Sequence, residues 1–256
     1  MDSGSILGMI LAPIAVFGGH LLGGGHLGEI VQLTAAFIVL VGTMAAVLLS
    51  YPFEQVRRAF DSVPSIFQTV NQDVRPLISE IVKIAGIVRK DGMLAIETQA
   101  RAVQDPLLSK ALKFVIDGLE AGAVQEIITG EIRLAFDEDA QAAKVFEGAG
   151  AIAPAVGIIG AVLGLIHVMT LLNEPSKIGS GIAVAFVSTI YGIALANLVL
   201  TPIGTKLKRQ AQLKMLPKEV VRLGIAGIQE GINPSYLQEK LEIFVRSGSP
   251  GLAGKS

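Results

Sequence analysis

Residues 152–172 read IAPAVGIIGAVLGLIHVMTLL, and residues 178–203 read IGSGIAVAFVSTIYGIALANLVLTPI. Neither run contains Asp, Glu, Lys or Arg, and each holds one proline, Pro154 and Pro202. A helix needs about 20 residues to cross a hydrocarbon core about 30 Å thick. Both runs reach that length, so they predict a pair of membrane-spanning helices. Small residues recur along each. The first carries Ala149, Ala153, Gly157 and Ala161, with Gly160 and Gly164 on the adjoining face; the second carries Gly181, Ala185, Ser188, Gly192 and Ala196. Lipid offers no reward for hiding Leu from Leu, so small residues at three- and four-residue spacing mark faces where backbones approach. The pair is expected to pack against other helices on more than one side.

Working outward, Ile6 to Leu22 reads as a first, short span containing Pro13, and Gly23 to Glu29 as a glycine-rich turn. Ile30 to Ser50 reads as a second span, ended by Tyr51 and Pro52. The opening MDSGS has no Lys or Arg, so it lacks the basic region of a cleavable signal peptide. From Phe53 to Phe146 apolar residues recur at a helical period, as in Leu77, Ile78, Ile81, Val82, Ala85 and Val88. Breaks are expected at Pro64, Pro76, Asp91-Gly92, Asp105-Pro106 and Gly130. The tail from Gly204 to about Val245 is again basic and amphipathic, and the closing SGSPGLAGKS is expected to be unstructured. The expected fold is all-α: a polytopic membrane protein with four transmembrane helices and a helical cytoplasmic domain. Its segments are a transmembrane hairpin over 1–51 (spans about 6–22 and 30–50), a cytoplasmic helical domain over 52–148, a core helix pair over 149–203 (spans about 150–172 and 178–203), and an amphipathic C-terminal helix and tail over 204–256.

Composition agrees with this division. The 256 residues are 51% hydrophobic but only 5% aromatic, with a mean hydropathy of +0.60, too apolar for an ordinary water-soluble domain. The net charge of −1 hides an asymmetry: all but one of the 21 Lys and Arg lie between Tyr51 and Glu147 or after Ile203, the exception being Lys177. The positive-inside rule therefore puts both segments, and both termini, in the cytosol of a protein in the cell inner membrane. Lys206, Lys208 and Arg209 read first as topology anchors, with a lipid-specific site as the alternative. There is no cysteine, which excludes disulfides and thiol chemistry.

The chain offers no phosphate-binding loop, no HExxH, no nucleophile elbow and no carboxylate pair in a plausible cleft, so an enzyme is not expected. Three dispersed histidines, His20, His26 and His167, do not suggest a metal site, and no cofactor or nucleic-acid partner is expected. An ion path would ordinarily show an ionisable residue at membrane depth. Here the apolar runs hold only His20 and His167. Either the chain moves no ions, or a partner supplies the titratable group and this chain supplies the wall around it. Thr170, Ser188, Thr189, Tyr191, Asn197 and Thr201 either line such a wall or bond back to their own helix carbonyls.

Several stretches together resemble the A subunit of the flagellar motor stator, the MotA/PomA family. They are the two short spans, the insert after Tyr51-Pro52, the segment Arg89-Lys90-Asp91-Gly92-Met93-Leu94-Ala95-Ile96-Glu97, the run PAVGIIGAVLGLIHVM from Pro154, the run from Ile178 and Pro202 beyond it. The resemblance covers nearly the whole chain in order and spacing. It implies a torque generator in which five A subunits surround two single-span, peptidoglycan-binding B subunits whose membrane aspartate carries the ion. It also implies that the cytoplasmic domain pushes on the rotor switch protein FliG. By the same resemblance Pro154 and Pro202 couple ion binding to helix movement, and Arg89, Lys90 and Glu97 contact the rotor; Tyr191 is assigned to the ion path as one of the polar residues of the wall. Read without it, Glu97 and Arg101 are an ordinary surface pair at i,i+4.

Sodium-driven members tend to place threonine hydroxyls near the partner aspartate on both core helices. This chain keeps Thr189 but has Ala161 at the other position. Sodium needs several oxygen ligands, whereas a proton can pass through water, so H+ is the expected ion and Na+ the less favoured one. The rival reading is an ExbB/TolQ-type proton-driven energiser of the cell envelope, whose members usually have three spans. A passive membrane scaffold and a stand-alone channel are more distant alternatives.

Overall fold

The computed structural model describes residues 2–70 and 73–247, and every element among them is helical. The C-terminal stretch expected to be unstructured falls almost entirely at 248–256, outside the described residues. Helix α1 spans Ser3–Leu22 and widens to a π turn over Ile14–Gly18, directly after Pro13. A single turn, α2 (Leu27–Ile30), precedes α3 (Leu33–Ser50). Then come α4 (Phe53–Ser62), a 3-10 turn over Val63–Phe67, α5 (Arg75–Asp91), a 3-10 turn over Met93–Ile96, α6 (Glu97–Ala102) and α7 (Pro106–Ile116). Helix α8 runs 50 residues without a break, Ala121–Thr170. Helix α9 (Pro175–Ala194) passes through a π turn over Leu195–Leu200 into α10 (Thr201–Gln229), and α11 (Pro234–Ser247) follows.

Among the described residues four helices are long and apolar enough to cross a membrane: Ser3–Leu22, Leu33–Ser50, Ala121–Thr170 and Ile178–Gln229. The last two extend far past the apolar runs that announced them, the second of them continuing even through Pro217. The break expected at Gly130 is absent. An isolated glycine costs a helix only about 1 kcal/mol relative to alanine, and Val124, Ile128 and Ile132 bury one face around it. The chain breaks instead at Asp117-Gly118, where Gly118 takes φ +80, a left-handed conformation that favours glycine. Asp105 does start a helix: its carboxylate accepts the Leu108 N–H at 2.8 Å, and Pro106 fills the first turn, where no N–H is needed.

The chain divides into two compact units, residues 1–69 with 139–209 and residues 70–138 with 210–256. The 53–69 stretch and 139–148 therefore group with the spans. The tail after Gln210 groups with the insert, which local periodicity alone does not reveal.

In the first unit Val47, Val56, Ile66, Ala143, Phe146 and Leu207 form a buried cluster, with Phe60 meeting Phe146 edge to face at 5.9 Å. The Tyr51 hydroxyl donates to the Lys144 carbonyl at 3.0 Å. The start of α1 is tied down three ways: the Asp2 N–H donates to the Phe67 carbonyl at 2.8 Å, the Ser5 hydroxyl to the Ile66 carbonyl at 3.1 Å, and the Lys206 ammonium to the Asp2 carboxylate. That ammonium holds the Asp2 carboxyl below its ordinary range, against the opposing effect of desolvation. In the second unit the core is aliphatic: Ile81, Leu108, Leu112, Ile128, Ile225 and Leu241 are essentially inaccessible to water. Gly224 and Gly227 let α10 approach, since a Cβ on either would sit 2.6 Å from Ile81 or 2.5 Å from Leu237.

Candidate functional site

Helices α8 and α9 meet through a ladder of small residues. A Cβ at Gly192 would lie 2.7 Å from the Ala153 carbonyl oxygen, and one at Gly157 would lie 2.9 Å from the Ser188 carbonyl oxygen. Gly160 faces the Ser188 side chain, Gly164 the backbone of Ala185, and Gly181 the Val168 side chain. The backbones themselves come into contact at Ala153, Gly157 and Gly164, with side chains filling the steps at Gly160 and Gly181, the close approach that the spacing of small residues predicts. Helix α3 covers a second side: a Cβ at Gly42 would sit 2.8 Å from Val156, and Gly160 also faces Ile38.

The ladder fixes which residues point elsewhere. With 3.6 residues per turn, Pro154, Ile158, Ala161 and Leu165 share one stripe of α8, turned away from α3. Ile182, Phe186, Thr189 and Ile193 share the corresponding stripe of the antiparallel α9. Pro154, Ala161 and Thr189 are half-buried, while Ile158, Leu165, Phe186 and Ile193 are exposed. Ala161 lies between the Gly160–Ser188 and Gly164–Ala185 contacts, and Thr189 lies between the Gly160–Ser188 and Gly157–Gly192 contacts, so the two are within about a turn of each other on this face. The structure thus brings Pro154, Ala161 and Thr189 onto one open, apolar face.

The hydroxyls on this pair are tied to their own helix. Ser188, with none of its surface exposed, donates to the Val184 carbonyl at 2.8 Å, and Thr189 donates to the Ala185 carbonyl at 3.2 Å. Asn197 likewise donates to the Ile193 carbonyl at 3.0 Å. Each donor is satisfied, but the Thr189 oxygen keeps lone-pair capacity toward the open face. Pro154 leaves the Gly150 carbonyl without its usual N–H partner, yet α8 runs through it as continuous helix. Pro202 behaves differently. It has no N–H for the Leu198 carbonyl, and the chain widens into the π turn just where that bond is missing.

Tyr191 is apart from this set. Its hydroxyl donates to the Ile30 carbonyl at 2.7 Å and accepts the Gln32 N–H at 3.4 Å, on the side of α9 that faces α3. It clamps the non-helical joint between α2 and α3, whose backbone groups would otherwise go unpaired at membrane depth.

Arg89 and Lys90 occupy the last turn of α5, exposed, with Gly92 at φ +87 ending the helix. Both cations suit a helix C-terminus on dipole grounds alone. Glu97 accepts from Arg101 at 2.8 Å in an exposed i,i+4 pair. Between these charges Leu94 stands 76% exposed. A large apolar side chain held out in a tight turn between charges is the feature that sequence reading passed over; its signal is a leucine two residues after a helix-ending glycine.

The sequence of residues 6–92 matches the family model described as motility protein A N-terminal, and residues 99–219 match that of the MotA/TolQ/ExbB proton channel family. The chain is 34% identical to the uncharacterized protein YtxD of Bacillus subtilis, over 94% of this chain and 88% of that one. It is 30% identical to motility protein A of the same organism, over 96% and 91% of the two chains. Its fold superposes on a chain of the flagellar MotAB stator complex from Bacillus subtilis with a TM-score of 0.84 at 29% identity, covering 95% of this chain and 96% of that one. The chain belongs to the MotA/TolQ/ExbB proton channel family, on its motility protein A branch.

Proposed function

We propose that this chain is the membrane A subunit of a flagellar motor stator, a non-enzymatic component that turns ion flow into torque. One observation carries the mechanism: the open face holding Pro154, Ala161 and Thr189 has no charged residue from Gly148 to Asn173 or from Ile178 to Thr205. A path for ions along this face therefore needs its titratable group from outside the chain. The B subunit implied by the MotAB relatives supplies it, as an aspartate on a single membrane helix seated against this face. Five A chains around two B chains is the arrangement we assign.

The ion is H+. Ala161 offers no oxygen where a sodium site needs one, and Thr189 alone cannot replace a sodium hydration shell. Proton transfer to and from the partner carboxylate needs only water and a hydroxyl. Pro154, beside that path, frees the Gly150 carbonyl and gives α8 a point where it can bend when the carboxylate changes charge. Pro202 and its π turn give the fourth span a second such point. The segment from Arg89 to Glu97 makes the rotor contact with FliG, with Leu94 as its apolar anchor between charges. The protein resides in the inner membrane with both termini in the cytosol. The distribution of Lys and Arg supports that topology, as does the tie between Asp2, Phe67 and Lys206.

The motility protein A match over residues 6–92, both N-terminal spans and the insert through α5, favours this reading over an ExbB/TolQ-type energiser, which shares only the wider family. The test is swimming in a strain lacking the gene, complemented with wild type, Pro154→Ala or Leu94→Ser, at matched membrane levels. We expect no swimming with Pro154→Ala and slowed swimming with Leu94→Ser. Wild-type swimming should be independent of sodium and abolished by a protonophore. Normal swimming of the deletion strain, in a cell with no second stator set, would overturn the stator reading; swimming that follows sodium would overturn the choice of ion.

A further inference from the structure

The fourth span has a further neighbour besides α8 and α3, and it is packed very differently. Two cavities of about 290 and 390 Å³ lie between α1 and this span, and both are lined by Ala12, Pro13, Leu198 and Val199. They form one groove. Its middle is where the two π turns face each other, Ile14–Gly18 after Pro13 and Leu195–Leu200 before Pro202. A π turn carries its side chains out of the i±3 and i±4 rows by which helices interdigitate, so a gap remains where two of them meet.

The ends of the groove differ in chemistry. Phe17, Leu40 and Ile190 line one end, and the lining there is almost wholly apolar. At the other end Ser5 and Lys206 line it, beside the exposed Gly8 and Pro202. The Lys206 ammonium has three N–H donors, of which Asp2 takes one. Arg209, one turn further along the same face, is exposed and makes no ion pair among the described residues. Two cations against one carboxylate leave the end net positive, at the point where the helix leaves the apolar zone.

We infer that this groove holds one anionic glycerophospholipid, its phosphate between Lys206 and Arg209 and an acyl chain along Val199, Leu198 and Pro13 to Phe17. The lining runs along the fourth span from Lys206 to Ile190, a rise of about 24 Å at about 1.5 Å per residue, long enough for an acyl chain, and its basic end fits a phosphodiester with an anionic headgroup. A groove that met a neighbouring helix would have no use for two cations at its mouth. The inference is independent of the stator reading, because it concerns only how one chain meets its bilayer.

The chain contains no tryptophan, so a single introduced one reports its own surroundings. Phe17→Trp places the probe in the groove, and Leu49→Trp, at a 90% exposed position on α3, samples bulk lipid. The full-length chain is reconstituted in phosphatidylcholine vesicles containing a minor fraction of acyl-brominated phosphatidylglycerol or phosphatidylethanolamine, and quenching is measured. At Phe17→Trp, quenching by phosphatidylglycerol should exceed its mole fraction by roughly five-fold for each cation, and at Leu49→Trp it should follow the mole fraction. Adding Lys206→Gln or Arg209→Gln should lower the groove preference about five-fold each. Gly8→Phe, at a position whose Cβ meets nothing within 4 Å, should fill the groove and reduce quenching there alone. Equal quenching by the two headgroups, indifference to Lys206→Gln, or no quenching by either lipid, as when a second copy covers the groove, would each overturn the inference.

Discussion

The two compact units are held together by opposite means. The unit of residues 70–138 and 210–256 is built as proteins in water are, around large aliphatic side chains such as Ile81, Leu108, Leu112 and Ile225 that are withdrawn from solvent. The unit that contains the spans leaves Leu, Ile, Val and Phe exposed along its helices and joins α8 to α9 through glycine, alanine and serine. In lipid a leucine gains nothing by turning inward, so close contact has to come from removing side chains rather than burying them. The same amino acid therefore means different things in the two units. Glycine brings backbone to backbone in α8 and α9; in the other unit Gly92 and Gly118 end helices, and Gly224 and Gly227 make room for the large side chains of Ile81 and Leu237.

The sharpest way to break this contrast is to add side chain to the ladder. Gly192→Leu must place its Cβ 2.7 Å from the Ala153 carbonyl oxygen, and both partners are backbone that has nowhere to move. We expect loss of the chain from the membrane fraction, measured by immunoblot. Gly179→Leu, in the same helix but with open space at its Cβ, should accumulate normally. Equal loss in both variants would mean that glycine matters here for helix formation and not for contact.

The converse change is to remove side chain from the other core. Leu112→Ala or Ile81→Ala should cost about 2–5 kcal/mol, the range for fully buried aliphatics with a cavity left behind. Thermal unfolding of the purified chain followed by circular dichroism should show it as a lowered Tm. Leu49→Ala in α3, at a 90% exposed lipid-facing position, should leave the Tm nearly unchanged. An equal drop would show that the membrane unit also depends on buried leucine area.

How much of this was open to sequence reading follows from the same contrast. The four spans, the small-residue face and the helical insert were legible because length, spacing and period are local properties. The uninterrupted run of α8 through Gly130 was not, because three buried residues around that glycine outweigh a small local penalty. Nor was the shared core of insert and tail, since Ile81 with Gly224, and Leu237 with Gly227, are pairings that no local pattern announces. At the candidate site, Pro154, Ala161 and Thr189 fall on one face as helical spacing implies. Tyr191 does not join them, because its position depends on where the Ile30 carbonyl happens to lie. The groove beside α1 depends on two π turns, and π turns leave little trace in sequence beyond a nearby proline.

A smaller effect tests the membrane unit from within. Thr43 lies on the buried face of α3, and its hydroxyl has no hydrogen-bond partner among the described residues. A buried, unpaired polar group costs about 1–3 kcal/mol, so Thr43→Val, nearly the same in shape, should raise the Tm. If it lowers the Tm, the hydroxyl has a partner, and α3 is held by more than side-chain shape.

The smallest expected effect lies where the membrane unit meets water. Lys206 holds the Asp2 carboxyl below its ordinary range, so the folded chain releases that proton more readily than the unfolded one. The sign follows: the stabilising contribution is fully present above the ordinary carboxylate value near about 4, and it is lost as the pH falls through the depressed folded-state value. Wild type and Asp2→Asn should therefore differ slightly in Tm at neutral pH, and their curves should converge on acidification. Because the pair is only partly withdrawn from solvent, added salt should shrink the difference as well. Asparagine can keep the cap on the Gly4 N–H at 3.1 Å, so a gap that persisted into acid and high salt would show that the ion pair with Lys206 is not what separates the two proteins.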